Sequence, residues 1–147
     1  HRLQQLDMWA QFQVEKDLLL DFLPMLSRVN VKFMLDHCGR PHQPDGLSQA
    51  GFQALLDLGR DPRAVVKLSG YAKFSQQGFQ FDDVRPYVNA LVESFGLDRC
   101  VWASDWPYLK APYRLDYGPM LRTYETMFTA EERHQLMWTS AKHHFGF

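Results

Sequence analysis

Hydrophobic and polar positions along the chain follow two rhythms. Four short runs, 9–14, 31–36, 64–69 and 100–104, are rich in Val, Phe, Leu or Trp. Most end in turn residues such as Gly39-Arg40-Pro41 or Gly70, which is the pattern of buried strands. Between them the apolar positions fall three and four apart. Leu18, Leu19, Phe22, Leu23 and Leu26 form one such stripe, and Phe52, Leu55, Leu56 and Gly59 a second. Val84, Tyr87, Val88, Leu91, Val92 and Phe95 form a third, and Leu121, Tyr124, Met127 and Phe128 a fourth. Each stripe predicts an amphipathic helix. Ser48 and Asp82 stand where N-caps are wanted, and Gly96 follows a helix end.

Strand followed by helix, four times over, predicts a parallel α/β sheet with crossover helices. The expected strand tips at His37, Gly70 and Asp105 recur at intervals of 33 and 35 residues, about one unit of a (β/α)8 barrel whose eight units take roughly 250 residues. The chain is therefore either a small open sheet or half a barrel. No linker, repeat or low-complexity tract divides it, so residues 1–147 are expected to form a single domain segment.

Alternation places Val31, Phe33, Leu35 and His37 on one face of the second strand, and Val101, Ala103 and Asp105 on one face of the fourth. Each face is apolar below and carries a titratable group at its C-terminal tip. Ligands of parallel α/β folds bind outside those tips. Two such groups on different strands suggest a site.

Composition narrows the function classes. The 147 residues are 46% hydrophobic, with 16 basic and 17 acidic side chains and a formal net charge of −1. That suits one globular core, offers no electrostatic footprint for nucleic acid or an anionic membrane surface, and contains no apolar run long enough to span a bilayer. Two cysteines, Cys38 and Cys100, make neither a disulfide framework nor a zinc knuckle, so reduced thiols and a cytoplasmic location are expected. No signal peptide is visible at the start. The chain opens at His1 with helical text already under way, and reads as a piece of something longer.

Leu35-Asp36-His37-Cys38-Gly39-Arg40-Pro41, Val66-Lys67-Leu68-Ser69-Gly70, Ser104-Asp105-Trp106-Pro107 and the closing 141–147 segment together resemble the amidohydrolase-related family of TIM-barrel hydrolases, lactonases and decarboxylases. They are most similar to its lactonase branch, which acts on 2-pyrone-4,6-dicarboxylate and sugar lactones. The resemblance covers nearly the whole chain and implies strands five to eight of the barrel, its C-terminal half. The family's first-strand His-x-His pair is absent from this sequence. The resemblance implies that a missing N-terminal half-barrel, in the same or another chain, completes the fold, and that the segment alone is inactive.

Opening a lactone requires an activated water, a polarised carbonyl and cations for any substrate carboxylate. Asp105 is the candidate general base, a role the resemblance also implies; capping the turn before Trp106-Pro107 is its structural alternative. His37 is the candidate donor to the developing oxyanion. It is also able to ligate a metal, and its structural alternative is a core histidine bonded to a backbone carbonyl. Asp36 is read as pointing the other way and structural, and Lys67 as a buried cation in need of a carboxylate partner. Arg40 is a candidate fork for a substrate carboxylate, or else a loop brace. Lys73, Tyr71, Tyr108 and Gln13 are candidate pocket lining. Cys38 is not expected to form a dyad with His37, because neighbouring strand side chains face apart.

Metal-binding relatives usually draw a histidine from the fifth strand, where this chain reads Trp9-Ala10-Gln11-Phe12-Gln13-Val14. Amide oxygens are poor zinc ligands, so no cofactor is expected; with a metal present, His37 and Asp105 would hold a single zinc. Among the other residues, His1, His42, His134, His143 and His144 show no ligand spacing with acids. Trp9, Trp102 and Trp138 read as core, while Trp106 suits either core or stacking. Phe145 and Phe147 read as anchors of the outer layer. The expected function is therefore hydrolysis of a small lactone, with or without a carboxylate, without an essential metal. The alternatives are a metal-dependent decarboxylase or amidohydrolase of the same family, and a noncatalytic α/β domain or inactive fragment.

Overall fold

A computed structural model of the chain describes residues 2–147; the His1 reading lies outside them. After a short helix α1 (Arg2–Gln5) come β1 (Ala10–Phe12), α2 (Leu18–Leu26), β2 (Phe33–Leu35), α3 (Ala50–Asp57), β3 (Ala64–Leu68), α4 (Arg85–Phe95) and β4 (Cys100–Trp102). The chain closes with α5 (Tyr117–Met127), then α6 (Ala130–His134) and α7 (Ser140–Phe145) joined through a π-helical turn. The strands lie in the order β1-β2-β3-β4 and every pair is parallel. Pairing starts at Ala10 opposite Phe33, Phe33 opposite Ala64, and Val66 opposite Cys100. The strands are three to five residues long, shorter than the apolar runs, because the run ends turn out of the ladder at the site loops.

Alternation makes the sheet two-faced. Phe33, Leu35, Val66, Leu68 and Cys100 face the helices and share the main core with Leu19, Phe52, Leu55, Val88 and Leu91. The opposite face carries a smaller cluster of Met34, Val65 and Val101, packed against Trp9. Among the described residues β1 and β4 each pair on one side only, so both sheet edges are open. Among the described residues no helix is long and apolar enough to cross a membrane.

Several local expectations need correction. Ser48 caps nothing: Gln49 takes the N-cap position of α3, and its amide bonds the carbonyls of His42 and Gly46 instead. Asp82 opens a 3-10 turn, and α4 begins behind Val84. A full capping box sits elsewhere, between Thr129 and Glu132 at the start of α6. Trp138 is half exposed, outside the core. Phe145 and Phe147 are exposed as well; Phe145 packs on Trp9 and Phe147 on Trp138. His42 does meet an acid, with Nδ1 2.9 Å from Asp45 Oδ2.

Candidate active site

The site is built where β2, β3 and β4 end. Beyond β2 the backbone turns left-handed for four consecutive residues, with φ of 54° at His37, 56° at Cys38, 69° at Gly39 and 43° at Arg40. L-residues resist this conformation by about 1–2 kcal/mol each, so surrounding contacts must hold the turn. Gly39 N–H donates to Asp36 O and Arg40 N–H to His37 O, both at 2.9 Å. Cys38 is buried, its thiol directed at Ser69 O. Burial pushes that thiol up to about 12, leaving an inert SH at neutral pH.

This turn corrects the face assignment. Phe33 and Leu35 face the helices, and His37 does not follow them, because it has left the strand. Its ring swings across the strand ends, with Nδ1 2.9 Å from Ser69 Oγ and Nε2 3.5 Å from Asp105 Oδ1. Gly70 makes this approach possible: a Cβ there would stand 2.7 Å from His37 Cβ and Cγ. Nδ1 and the Ser69 hydroxyl are within hydrogen-bond distance, with the direction set by the ring tautomer, and Nε2 is the ring nitrogen turned toward the Asp105 carboxylate. Burial holds the His37 pKa below the usual histidine value, against the opposing pull of Asp105. The imidazole is neutral near pH 7.

Asp105 stands beyond β4, also at positive φ, 62°. Its second oxygen, Oδ2, lies 3.1 Å from Lys73 Nζ, and Lys73 donates as well to Leu109 O at 3.2 Å. His37, Asp105 and Lys73 are thus one cluster, drawn from three strand ends. It borders a cleft of about 750 Å³ lined also by Gln13, Glu15 and Arg40. Arg40 Nη2 pairs with Glu15 at 3.1 Å, and its buried Nε has no partner among the described residues. Trp106, 70% exposed, forms part of the cleft wall.

Two expected lining residues lie elsewhere. Tyr71 is 2% exposed and packs edge-on against Phe81; Tyr108 is 8% exposed and also joins the main core. The 3-10 turn Tyr71–Lys73 explains the first case, turning Tyr71 inward and Lys73 into the cleft. Neither hydroxyl has a partner among the described residues. An unsatisfied buried hydroxyl costs about 1–3 kcal/mol. Tyr71→Phe is therefore expected to leave the thermal midpoint of the full-length protein unchanged or raise it; a drop of more than about 4 °C would show that the hydroxyl has a partner.

Asp36 also needs reassignment. It shares the inner face with Met34 and accepts from Gln11 Nε2 at 2.8 Å, while Lys67 Nζ approaches to 2.7 Å. The carboxylate that Lys67 requires thus comes from the neighbouring strand. Alternation groups Ser69 with Lys67 on one face of the third strand, but sequence reasoning gave Ser69 no role at the site and missed Glu15, which lies just beyond β1 as His37 lies beyond β2.

The donors present do not make a metal centre by themselves. Among the described residues no three His, Cys, Asp or Glu side chains converge for one. His37 and Asp105 are two donors, and an ammonium already lies against Asp105.

Comparison with known proteins follows from this geometry. The family profile described as Amidohydrolase matches residues 1–147. The 4-sulfomuconolactone hydrolase of Hydrogenophaga intermedia is 37% identical over 83 residues, 56% of this chain and 27% of that protein. The L-fucono-1,5-lactonase of Burkholderia ambifaria is 35% identical over 106 residues, 70% of this chain and 35% of that protein. A Pseudomonas putida structure described as a 2-pyrone-4,6-dicarboxylic acid hydrolase superposes with a TM-score of 0.89 at 25% identity, covering 99% of this chain and 54% of that one. A zinc-bound amidohydrolase from Burkholderia multivorans shares the fold at a TM-score of 0.79 and 24% identity, with 99% and 55% coverage. The chain spans about a third of the curated relatives it matches and about half of these solved structures. Its four parallel units are half of a (β/α)8 barrel.

Proposed function

The chain belongs to the amidohydrolase family, and from that premise we propose that residues 1–147 are one domain segment, strands five to eight of a hydrolase that opens a small lactone. The observation that carries this reading is the convergence of His37, Asp105 and Lys73 beside an open cleft at the strand tips. Two curated relatives act on lactones by name.

In this reading Asp105 accepts a proton from a water as its oxygen attacks the lactone carbonyl. His37, neutral with its proton on Nε2, donates to the carbonyl oxygen as negative charge develops there. Collapse breaks the ring C–O bond, and the proton held by Asp105 passes to the departing alkoxide. Arg40 keeps guanidinium donors beyond the pair with Glu15 and grips a carboxylate on the substrate. Gln13 supplies an amide to the same cleft. Tyr71 and Tyr108 have no part in it.

The proposal includes no essential divalent ion, since Gln11 in β1 and Gln13 just beyond it stand in place of an imidazole and Lys73 already supplies a cation at Asp105. The N-terminal half-barrel, on this or another chain, completes the cleft, and the segment alone is inactive. Buried free thiols at Cys38 and Cys100 suit a reducing, cytoplasmic setting. The test is the full-length protein, exhaustively chelated and assayed for hydroxy-acid release from lactones with and without a carboxylate. Ring opening at the unchelated rate is expected. Failure on every lactone overturns the activity; complete loss restored by zinc overturns the metal-free mechanism in favour of a metal-dependent amidohydrolase.

A further inference from the structure

Lys73 is the charged group of the cleft whose contacts point at the reacting machinery more than at a ligand. Its side chain is 13% exposed. Nζ sits 3.1 Å from Asp105 Oδ2 and donates to Leu109 O at 3.2 Å. An ammonium has three protons, and two of these directions are spent within the loop that follows β4. Lys73 itself comes from the 3-10 turn after β3, so one side chain ties two site loops together. Asp105, at φ 62°, occupies backbone that an aspartate tolerates but does not prefer, and gains a fixed carboxylate orientation from this tie.

We infer that Lys73 is a positioning residue and the resident cation of the site: it orients Asp105, clamps the Asp105–Leu109 loop, and excludes a divalent ion from the carboxylate. The inference rests on the reading of Asp105 as the base. A metal ion shared by His37 and Asp105 would need a carboxylate oxygen free of other cations. Oδ2 faces the ammonium, so a shared metal would have to use Oδ1, which lies 3.5 Å from His37 Nε2. Any dication bridging the two residues would lie within a few ångströms of a fixed positive charge, where like-charge repulsion in a partly desolvated cleft is strong. The sulfur-free, lysine-bearing donor set therefore favours an enzyme that carries its cation on a side chain.

The experiment compares the full-length protein with Lys73→Ala and Lys73→Arg in two independent readouts. Steady-state kinetics of Lys73→Ala should show kcat lowered about 10²-fold, the scale of a misplaced catalytic group, with KM within about threefold. Ethylammonium added to Lys73→Ala should restore part of kcat, which requires a folded protein with a vacated ammonium site. Lys73→Arg should retain more of kcat than Lys73→Ala. Calorimetric titration with zinc should show at least about tenfold tighter binding to Lys73→Ala than to the unsubstituted protein, once the competing charge is gone. A loss carried by KM makes Lys73 a substrate contact and overturns the inference, as does zinc affinity equal in the two proteins. The zinc titration reads no turnover, so it decides the role of Lys73 even if Asp105 proves not to be the base.

Discussion

Asp105→Asn in the full-length protein should lower kcat for lactone opening by about 10²–10⁴-fold and leave the fold intact. Asparagine has the shape of aspartate, but its amide oxygen accepts no proton from an attacking water at neutral pH. The backbone at position 105 is left-handed, which asparagine tolerates well, so the substitution tests chemistry without adding strain. Lys73 loses its carboxylate but keeps its bond to Leu109 O and borders the open cleft, so its charge remains accessible to water. The thermal midpoint should therefore move by no more than a few degrees. Steady-state rates together with a melt check both halves. Turnover retained within about tenfold, with the protein folded, would remove Asp105 from the role of base.

Gly70→Ala should damage both the fold and the activity. Gly70 has φ of 68°, and the added methyl would stand 2.7 Å from His37 Cβ and Cγ and 2.8 Å from Nδ1. The left-handed backbone costs alanine about 1–2 kcal/mol, and relieving the overlap costs a further 1–3 kcal/mol or so. Because the overlap includes Nδ1 itself, relieving it by shifting the ring disturbs the 2.9 Å contact with Ser69 that fixes it. Displacement of a catalytic group by about 1 Å lowers turnover by about 10²-fold. Denaturant melts and kcat on the full-length variant check the two effects. An unchanged midpoint would mean that the strand tips are more compliant than their packing implies.

The general plan was legible because it depends on local pattern. The apolar runs marked each strand, and the three- and four-residue stripes marked the helices that cover the sheet. Alternation also grouped Val101 apart from its neighbours Cys100 and Trp102, and Val101 does lie on the face away from the main core, since it sits within regular ladder. It failed at His37, where the ladder has already ended. A left-handed turn of His37, Cys38 and Arg40 is not written in residue type, because none of the three is glycine. Tyr71 and Tyr108 misled for a related reason: position just past a strand tip does not say whether a 3-10 turn points a ring inward or out. The Lys73–Asp105 and Lys67–Asp36 pairs join residues more than 30 positions apart, and no local rule chooses such partners. Glutamine 49 shows the competition at a helix start, where its amide closes the preceding loop while a neighbouring serine looked better suited to the cap.

The run of left-handed backbone from His37 to Arg40 also governs how a mutational library of this region has to be interpreted. Valine, isoleucine and threonine will be rejected at all four positions on steric grounds alone, whatever each side chain does in turnover. Cys38 will look as indispensable as His37, although it is walled off from the cleft behind Ser69. Asparagine and glycine, which accept that geometry, are the informative replacements. At His37 and Arg40, which line the cleft, a position that tolerates them is kept for its shape and one that does not is kept for its chemistry; at buried Cys38 and at Gly39, packed on Leu55, failure reports packing.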